Sequence, residues 1–182
     1  MSSLLRFDLN TPESDLRAAI VEAGQISYTQ GLLCASDGNL SVRLPDGNIL
    51  ITPSGVGKGR LAPEDLLVID PDGRMVKPAA DASLHVTSEL PMHLEVYRRR
   101  PDVHAVLHAH PPYATALTAV YDHFRLDILP EMAALLGDIP ITELAMPSSG
   151  ETAEVIHDLI LTHDALMIRQ HGSLTVGKNL EE

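Results

Sequence analysis

Apolar positions recur along this chain with two different periods, and glycines and prolines mark where one gives way to the other. In "TPESDLRAAIVEAGQISYTQG", residues 11–31, Leu16, Ile20, Ala23 and Ile26 form a helical stripe. Thr11 is placed to cap that helix, Pro12 suits its first position and Gly31 ends it. "NLSVRLPDGNILIT" then reads as two strands around Pro45-Asp46-Gly47, and "LLVIDPDGRMV" as a second pair around Pro71-Asp72-Gly73, which predicts a β-meander. Helical spacing returns over 88–99, followed by a strand over 103–109, a helix over 112–120, another over 151–162 and the strand "ALMIRQH". No segment repeats and none is of low complexity. Helices interleaved with one mostly antiparallel central sheet predict α/β or α+β layering.

Composition narrows the picture. With 182 residues, 45% of them hydrophobic, the chain can bury one sizeable core, so residues 1–182 are expected to form one domain. A formal net charge of −12 argues against nucleic acid or an anionic membrane as partner, since those are gathered by clustered Lys and Arg. The basic run Arg98-Arg99-Arg100 reads as a solvated helix C-terminus favoured by the macrodipole. Cys34, the single cysteine, excludes an intrachain disulfide and a cysteine-based zinc cage and suits a reducing compartment. No stretch is apolar enough to span a bilayer and "MSSLLRFDLNTPESD" lacks a secretory layout, so the expected location is the cytoplasm.

The densest chemistry lies in "DVHAVLHAHPPYATAL". A strand alternates its side chains, so Val103, Ala105, Leu107 and Ala109 share one face while His104, Val106, His108 and His110 share the other. His108 and His110 end the strand on one side, close enough to converge on one ion at about 2.0–2.1 Å, or simply to line a polar surface. The H-x-H pattern alone does not separate these. A catalytic metal needs a third ligand, and "LMIRQHG" offers His171 at a strand end before Gly172, which permits a tight turn and close backbone approach. His157 and His163 sit in or after a helix, and His85, His93 and His123 have no comparable setting. His93, one turn from Glu89, reads better as a buried hydrogen-bonding group than as a ligand.

"TSELPMHLEVYRRR" places Thr87 and Ser88 ahead of a helix with Pro91 in its first turn, a seat for an anion on hydroxyls and free N–H groups. Glu89 beside it is explained, taken alone, by compensation of the helix dipole. "SDGNLS", with Gly38, Asn39 and Ser41, and "TPSGVGKG", with Ser54, Gly55, Gly57 and Gly59, are loops of similar character; neither matches the phosphate loop of nucleotide hydrolases.

The order of these pieces is more specific than any one of them. "GNLS", "ITPSG", "TSE" leading into "MHLEVYRRRPDVHAVLHAHP", and finally "QHG" resemble the class II aldolase and adducin-head family from about residue 12 onward. The resemblance implies a three-layer α/β/α fold and a homotetramer with sites near subunit interfaces. It implies one zinc per chain on His108, His110 and His171, with Glu89 both beside the metal and the catalytic base. Asn39, Ser54, Gly55, Thr87 and Ser88 then hold the phosphate of a small phosphorylated sugar, and His104 stays outside the site. Where fuculose-type aldolases carry a tyrosine supplied by a neighbouring subunit, this chain reads "ILPEMAALLGDIP", so Glu131 takes that place as candidate acid. The chain ends at "GKNLEE", ahead of a further helix that the resemblance implies.

The implied activity is zinc-dependent cleavage of a short phosphorylated ketose to dihydroxyacetone phosphate and an aldehyde. Such a cleavage leaves charge beside the ketone for a metal to stabilise; in the condensation direction Glu89, a carboxylate tuned by the metal and a partly dry pocket, takes the C3 proton, and phosphate binding orients the reacting carbons. With a net charge of −12, the local positive potential must come from amides, the metal and Lys58. Epimerase, decarboxylase and dehydratase chemistry fits the same metal site. A non-catalytic adducin-like scaffold is the other class, and it needs neither zinc nor Glu89.

Overall fold

A computed structural model describes residues 5–8, 10–124, 130–131, 134 and 137–182. Its strands are β1 (Asn39–Arg43), β2 (Ile49–Ile51), β3 (Leu67–Ile69), β4 (Met75–Lys77), β5 (Ala105–Ala109), β6 (Ala165–Ile168) and β7 (Gly172–Gly177), with helices α1 (Glu13–Thr29), α2 (Leu90–Arg99), α3 (Pro112–Leu117) and α4 (Glu151–Ile156). The seven strands form one sheet in the order β4-β3-β2-β1-β5-β7-β6, with every neighbouring pair antiparallel. The meander expected around the two Pro-Asp-Gly turns is the β1-to-β4 half of this sheet.

Apolar side chains cover both faces. Ile49, Ile51 and Ile69 pack on one side against Met92 and Val96 of α2 and Ile156 of α4. Leu40, Val42 and Leu50 pack on the other against Leu16 and Ile20 of α1. Ile49, Leu50 and Ile51 therefore point to alternate faces yet all three are buried, as expected of a strand between two helical layers. The result is the predicted α/β/α sandwich. Its burial also corrects the reading of β5: Ala105 and Ala109 belong to the α1 core and Val106 to the α2/α4 core, so the histidine face is not a bare polar surface. His108 itself is buried, near the end of the strand where β5 meets the β6–β7 turn.

Other boundaries shift for local reasons. Pro12 takes the cap position of α1, while Thr11 Oγ1 instead accepts the Asp8 N–H at 3.1 Å. Ile26 is 44% exposed, and the buried register runs through Leu16, Ile20, Ala23 and Ser27, closer to the 3.6-residue repeat. The helix expected over 112–120 stops at Leu117, and that over 151–162 ends at Ile156, ahead of a 3₁₀ turn at Leu159–Leu161. The strand expected to run through His171 ends at Ile168, and β7, unanticipated, inserts between β5 and β6. The basic run is not uniformly solvated, since Arg100 bonds Asp102, Asp164 and the Ile160 carbonyl and ties the end of α2 to the approach to β6. No described helix is long and apolar enough to cross a membrane.

Candidate metal centre and anion seat

Three imidazoles meet where β5 ends beside the β6–β7 turn. His108, His110 and His171 each present a ring nitrogen, all within 4.8 Å of one another, and their ring centroids are 4.7, 4.7 and 5.0 Å apart. His108 is fully buried and its Nδ1–H donates to the Ser173 carbonyl of β7 at 2.9 Å, which leaves Nε2 with a free lone pair. That Nε2 lies 2.9 Å from His110 Nε2, a separation one ion bridges at about 2.0–2.1 Å to each. His171 Nδ1 is buried without a partner among the described residues. Desolvation, reinforced for His108 and His110 by the neighbouring rings, holds all three below the usual histidine pKa, so they are neutral donors near pH 7. These features fit a divalent ion bound by His108, His110 and His171.

The turn that carries His171 is held rigidly. Gln170 adopts a left-handed φ of 54° and gives its N–H to Thr118 Oγ1 at 2.7 Å, while Arg169 bonds the Thr118 and Thr142 carbonyls. Gly172 is pressed against the site: a Cβ there would fall 2.3 Å from the Ala109 carbonyl oxygen, 2.8 Å from the His110 ring and 3.0 Å from the His108 ring. Gly172→Ala is therefore expected to weaken metal binding by roughly 10–100-fold, as measured by chelator competition, because the ligands must shift. Unchanged affinity would show that the rings are free to move.

Glu89 stands at the N-cap position of α2, where its side chain makes no capping bond, and lines one cavity with His110 and His171. Ser148 grips one of its oxygens: the Ser148 N–H and hydroxyl donate to Glu89 Oε1 at 2.7 and 3.0 Å. Glu89 Oε2 is buried with no partner among the described residues. A carboxylate held by one oxygen with the other bare is arranged to exchange a proton in the cavity. Ser148, at φ 59°, escaped sequence reading because nothing in "PSSGE" announces that its loop folds back onto Glu89.

A cavity of about 300 Å³ joins these groups to the predicted anion seat. Asn39, Ser54, Gly55, Thr87 and Ser88 all line it, together with Glu89, His110 and His171. The amides at the start of α2 contribute less than expected, because the Glu89 N–H turns to Thr87 Oγ1 at 3.3 Å and the Leu90 N–H to the Thr87 carbonyl at 3.2 Å. Lys58 also lines the cavity but is only 2% exposed, its ammonium bonded to the carbonyls of Ser36 at 2.7 Å and Val56 at 3.0 Å. Burial draws its pKa down to about 8 against the opposing pull of Asp37. Lys58 thus braces the two small-residue loops from behind. Glu131 is exposed and does not line the cavity of its own chain, and residues 132–133 and 135–136 beside it lie outside the described residues. His104 stands apart, its backbone N–H paired with Gly177 at 2.9 Å, and is not among the three convergent histidines.

Comparison with known proteins matches this arrangement to one family. The profile of the Class II Aldolase and Adducin N-terminal domain matches residues 18–182. A methylthioribulose-1-phosphate dehydratase of Methylococcus capsulatus is 35% identical, the alignment covering 96% of this chain and 89% of the relative. A 3-oxo-tetronate 4-phosphate decarboxylase of Escherichia coli is 29% identical over 96% of this chain and 82% of its own length. The crystal structure of L-fuculose-1-phosphate aldolase from Thermus thermophilus superposes with a TM-score of 0.77 at 36% identity, covering 92% of this chain and 84% of that one.

Proposed function

Given that this chain belongs to the class II aldolase and adducin N-terminal domain family and is an enzyme of that superfamily, we propose that it is a zinc-dependent lyase acting on a short phosphorylated ketose. The observation that carries this reading is the shared cavity, lined by five candidate phosphate-binding residues, by Glu89, whose Oε2 has no partner among the described residues, and by two of the three convergent histidines. A scaffold module has no use for such a constellation.

The work of the chain's own residues follows from position. Asn39, Ser54, Gly55, Thr87 and Ser88 hold the phosphate and so fix the distance from C1 to the reacting carbons. Glu89, steadied by Ser148, moves a proton at the carbon next to the ketone. A divalent ion on His108, His110 and His171 supplies Lewis acidity toward the charge that develops beside that carbon. In aldol cleavage Glu131, reaching a cavity only across a subunit boundary of a homotetramer, takes the proton of the C4 hydroxyl as the C3–C4 bond breaks and C4 becomes the aldehyde, and Glu89 in its protonated form then delivers a proton to C3.

Dehydration is the second reading, favoured by the 35% identity to a methylthioribulose-1-phosphate dehydratase. There Glu89 takes the C3 proton and the C4 hydroxyl departs. Both readings use Glu89 at C3, onto which it delivers a proton after the C3–C4 bond breaks in aldol cleavage and from which it takes one before the C4–O bond breaks in dehydration. Incubating the metal-loaded protein with fuculose 1-phosphate, methylthioribulose 1-phosphate and 3-oxo-tetronate 4-phosphate separates them by NMR through an aldehyde with dihydroxyacetone phosphate, a diketone, or carbon dioxide. Removing the substrate phosphate is expected to lower kcat/KM by at least about 100-fold, because phosphate binding positions the reacting carbons. Equal kcat/KM with and without phosphate would remove the seat from the mechanism.

A further inference from the structure

Behind the anion seat runs a buried polar chain that the proposed chemistry does not use. His93, fully buried on α2, lies 2.5 Å through Nε2 from Asn39 Oδ1 and 2.7 Å through Nδ1 from Ser41 Oγ. Ser41 Oγ in turn lies 2.8 Å from the Tyr97 hydroxyl. The periods of the two elements align these groups. Asn39 and Ser41 are two apart on β1 and share a face, while His93 and Tyr97 are four apart on α2 and stack one turn above the other.

Two proton arrangements satisfy these contacts in opposite directions, and they differ in what Asn39 shows to the cavity. If Tyr97 donates to Ser41, Ser41 donates to His93 Nδ1. The single proton of the neutral imidazole then sits on Nε2 and goes to Asn39 Oδ1, which leaves both Asn39 amide N–H bonds free for the cavity. In the reverse direction His93 Nε2 accepts from the Asn39 amide, and the Asn39 carbonyl oxygen faces the cavity. The two hydroxyl protons, of Tyr97 and Ser41, decide between them. Tyr97 O–H and Ser41 Oγ are each other's described partner, and His93 Nδ1 is the one other group that Ser41 Oγ meets; burial keeps the phenol protonated by raising its pKa, and when Nδ1 carries the imidazole proton the two hydroxyls have no acceptor but each other, so one of their two protons is stranded in the core. Among the described contacts, the Tyr97, Ser41 and His93 donors all find acceptors only when the chain runs from Tyr97 to Asn39.

We propose that Tyr97, Ser41 and His93 form a one-way hydrogen-bond relay that locks the Asn39 amide with its N–H groups toward the cavity, making all three positioning residues for a bound phosphoryl group. The ligand named rests on the reading of this cavity as a phosphate seat; the direction of the relay does not. Desolvation draws the His93 pKa down to about 3, so the relay does not titrate in the physiological range. The acceptor-only oxygens of phosphate need donors, and with the α2 amides largely committed, a fixed Asn39 amide supplies two.

The direction is tested first without any ligand. In the full chain labelled with ¹⁵N-histidine, the His93 resonances, assigned by their loss in His93→Gln, are expected to show the Nε2–H tautomer unchanged between about pH 6 and 9. An Nδ1–H tautomer overturns the relay whatever the cavity binds. Inorganic phosphate binding to the metal-loaded protein is then measured by calorimetry. Ser41→Ala removes the donor to Nδ1 and is expected to weaken phosphate about ten-fold, with metal content unchanged. Tyr97→Phe keeps the ring in the core should Ser41→Ala fail to fold, and is expected to admit the second tautomer and weaken phosphate by about two- to ten-fold. Wild-type affinity in Tyr97→Phe or Ser41→Ala sinks the positioning role. If wild-type protein with the Nε2–H tautomer binds no phosphate, the seat reading falls and takes the ligand named here with it, while the relay's direction stands.

Discussion

Purified protein is expected to carry about one divalent ion per chain, most of it zinc, and His108→Ala or His171→Ala to carry almost none. Elemental analysis after gel filtration measures this directly. Each variant removes one of three convergent nitrogens, and the pair left behind cannot close a tetrahedral site. His108→Ala also frees the Ser173 carbonyl that fixed its tautomer. Turnover should fall to background in both. His104→Ala is the matched control: it comes from the same strand segment, lies outside the three-histidine group, and should retain metal and activity. Full metal occupancy in both site variants would remove the metal centre and the lyase proposal with it.

Glu89→Gln is expected to fold, keep its metal and lose at least about 100-fold in turnover. As a helix-dipole partner Glu89 would contribute roughly 0.3–1 kcal/mol of stability and nothing to rate, whereas a general base typically contributes about 10²–10⁴ in rate. A glutamine Oε1 can still accept the Ser148 N–H and hydroxyl, so the substitution tests the proton and not the loop contact. Exchange of the C3 proton of dihydroxyacetone phosphate, which needs the base and no aldehyde, should vanish in Glu89→Gln. Under the aldolase reading, Glu131→Gln should lose cleavage and keep much of the exchange. Exchange at the wild-type rate in Glu89→Gln would show that another group moves the proton.

Much of this architecture follows from local pattern alone. The helical period of Leu16, Ile20 and Ala23, the paired Pro-Asp-Gly turns and the strand-ending H-x-H each express a repeat or a turn preference carried by a few neighbouring residues. The motif order was enough to point to the family and to nominate Asn39, Ser54, Gly55, Thr87, Ser88, Glu89 and the three histidines, and the fold brings one cavity around them or, for His108, directly behind it. Reading His93 as a buried hydrogen-bonding group was also possible from sequence; its partners on β1 were not, because β1 and α2 are separated by the whole meander.

What only the tertiary structure decided are relations between distant segments. β7 stayed hidden because "GSLTVG" has just two buried apolar positions, Leu174 and Val176, between glycines; its place in the sheet comes from pairing with β5 and β6. The grip of Ser148 on Glu89 spans 59 residues, and Lys58 holds the Ser36 carbonyl across 22, contacts that leave no periodic trace in the chain. The direction of the Tyr97–Ser41–His93–Asn39 relay is of the same kind, since it depends on which buried proton has nowhere else to go. Periodicity is a property of consecutive residues and survives in the sequence, whereas satisfaction of buried polar groups is a property of the closed core and exists only once the chain has folded.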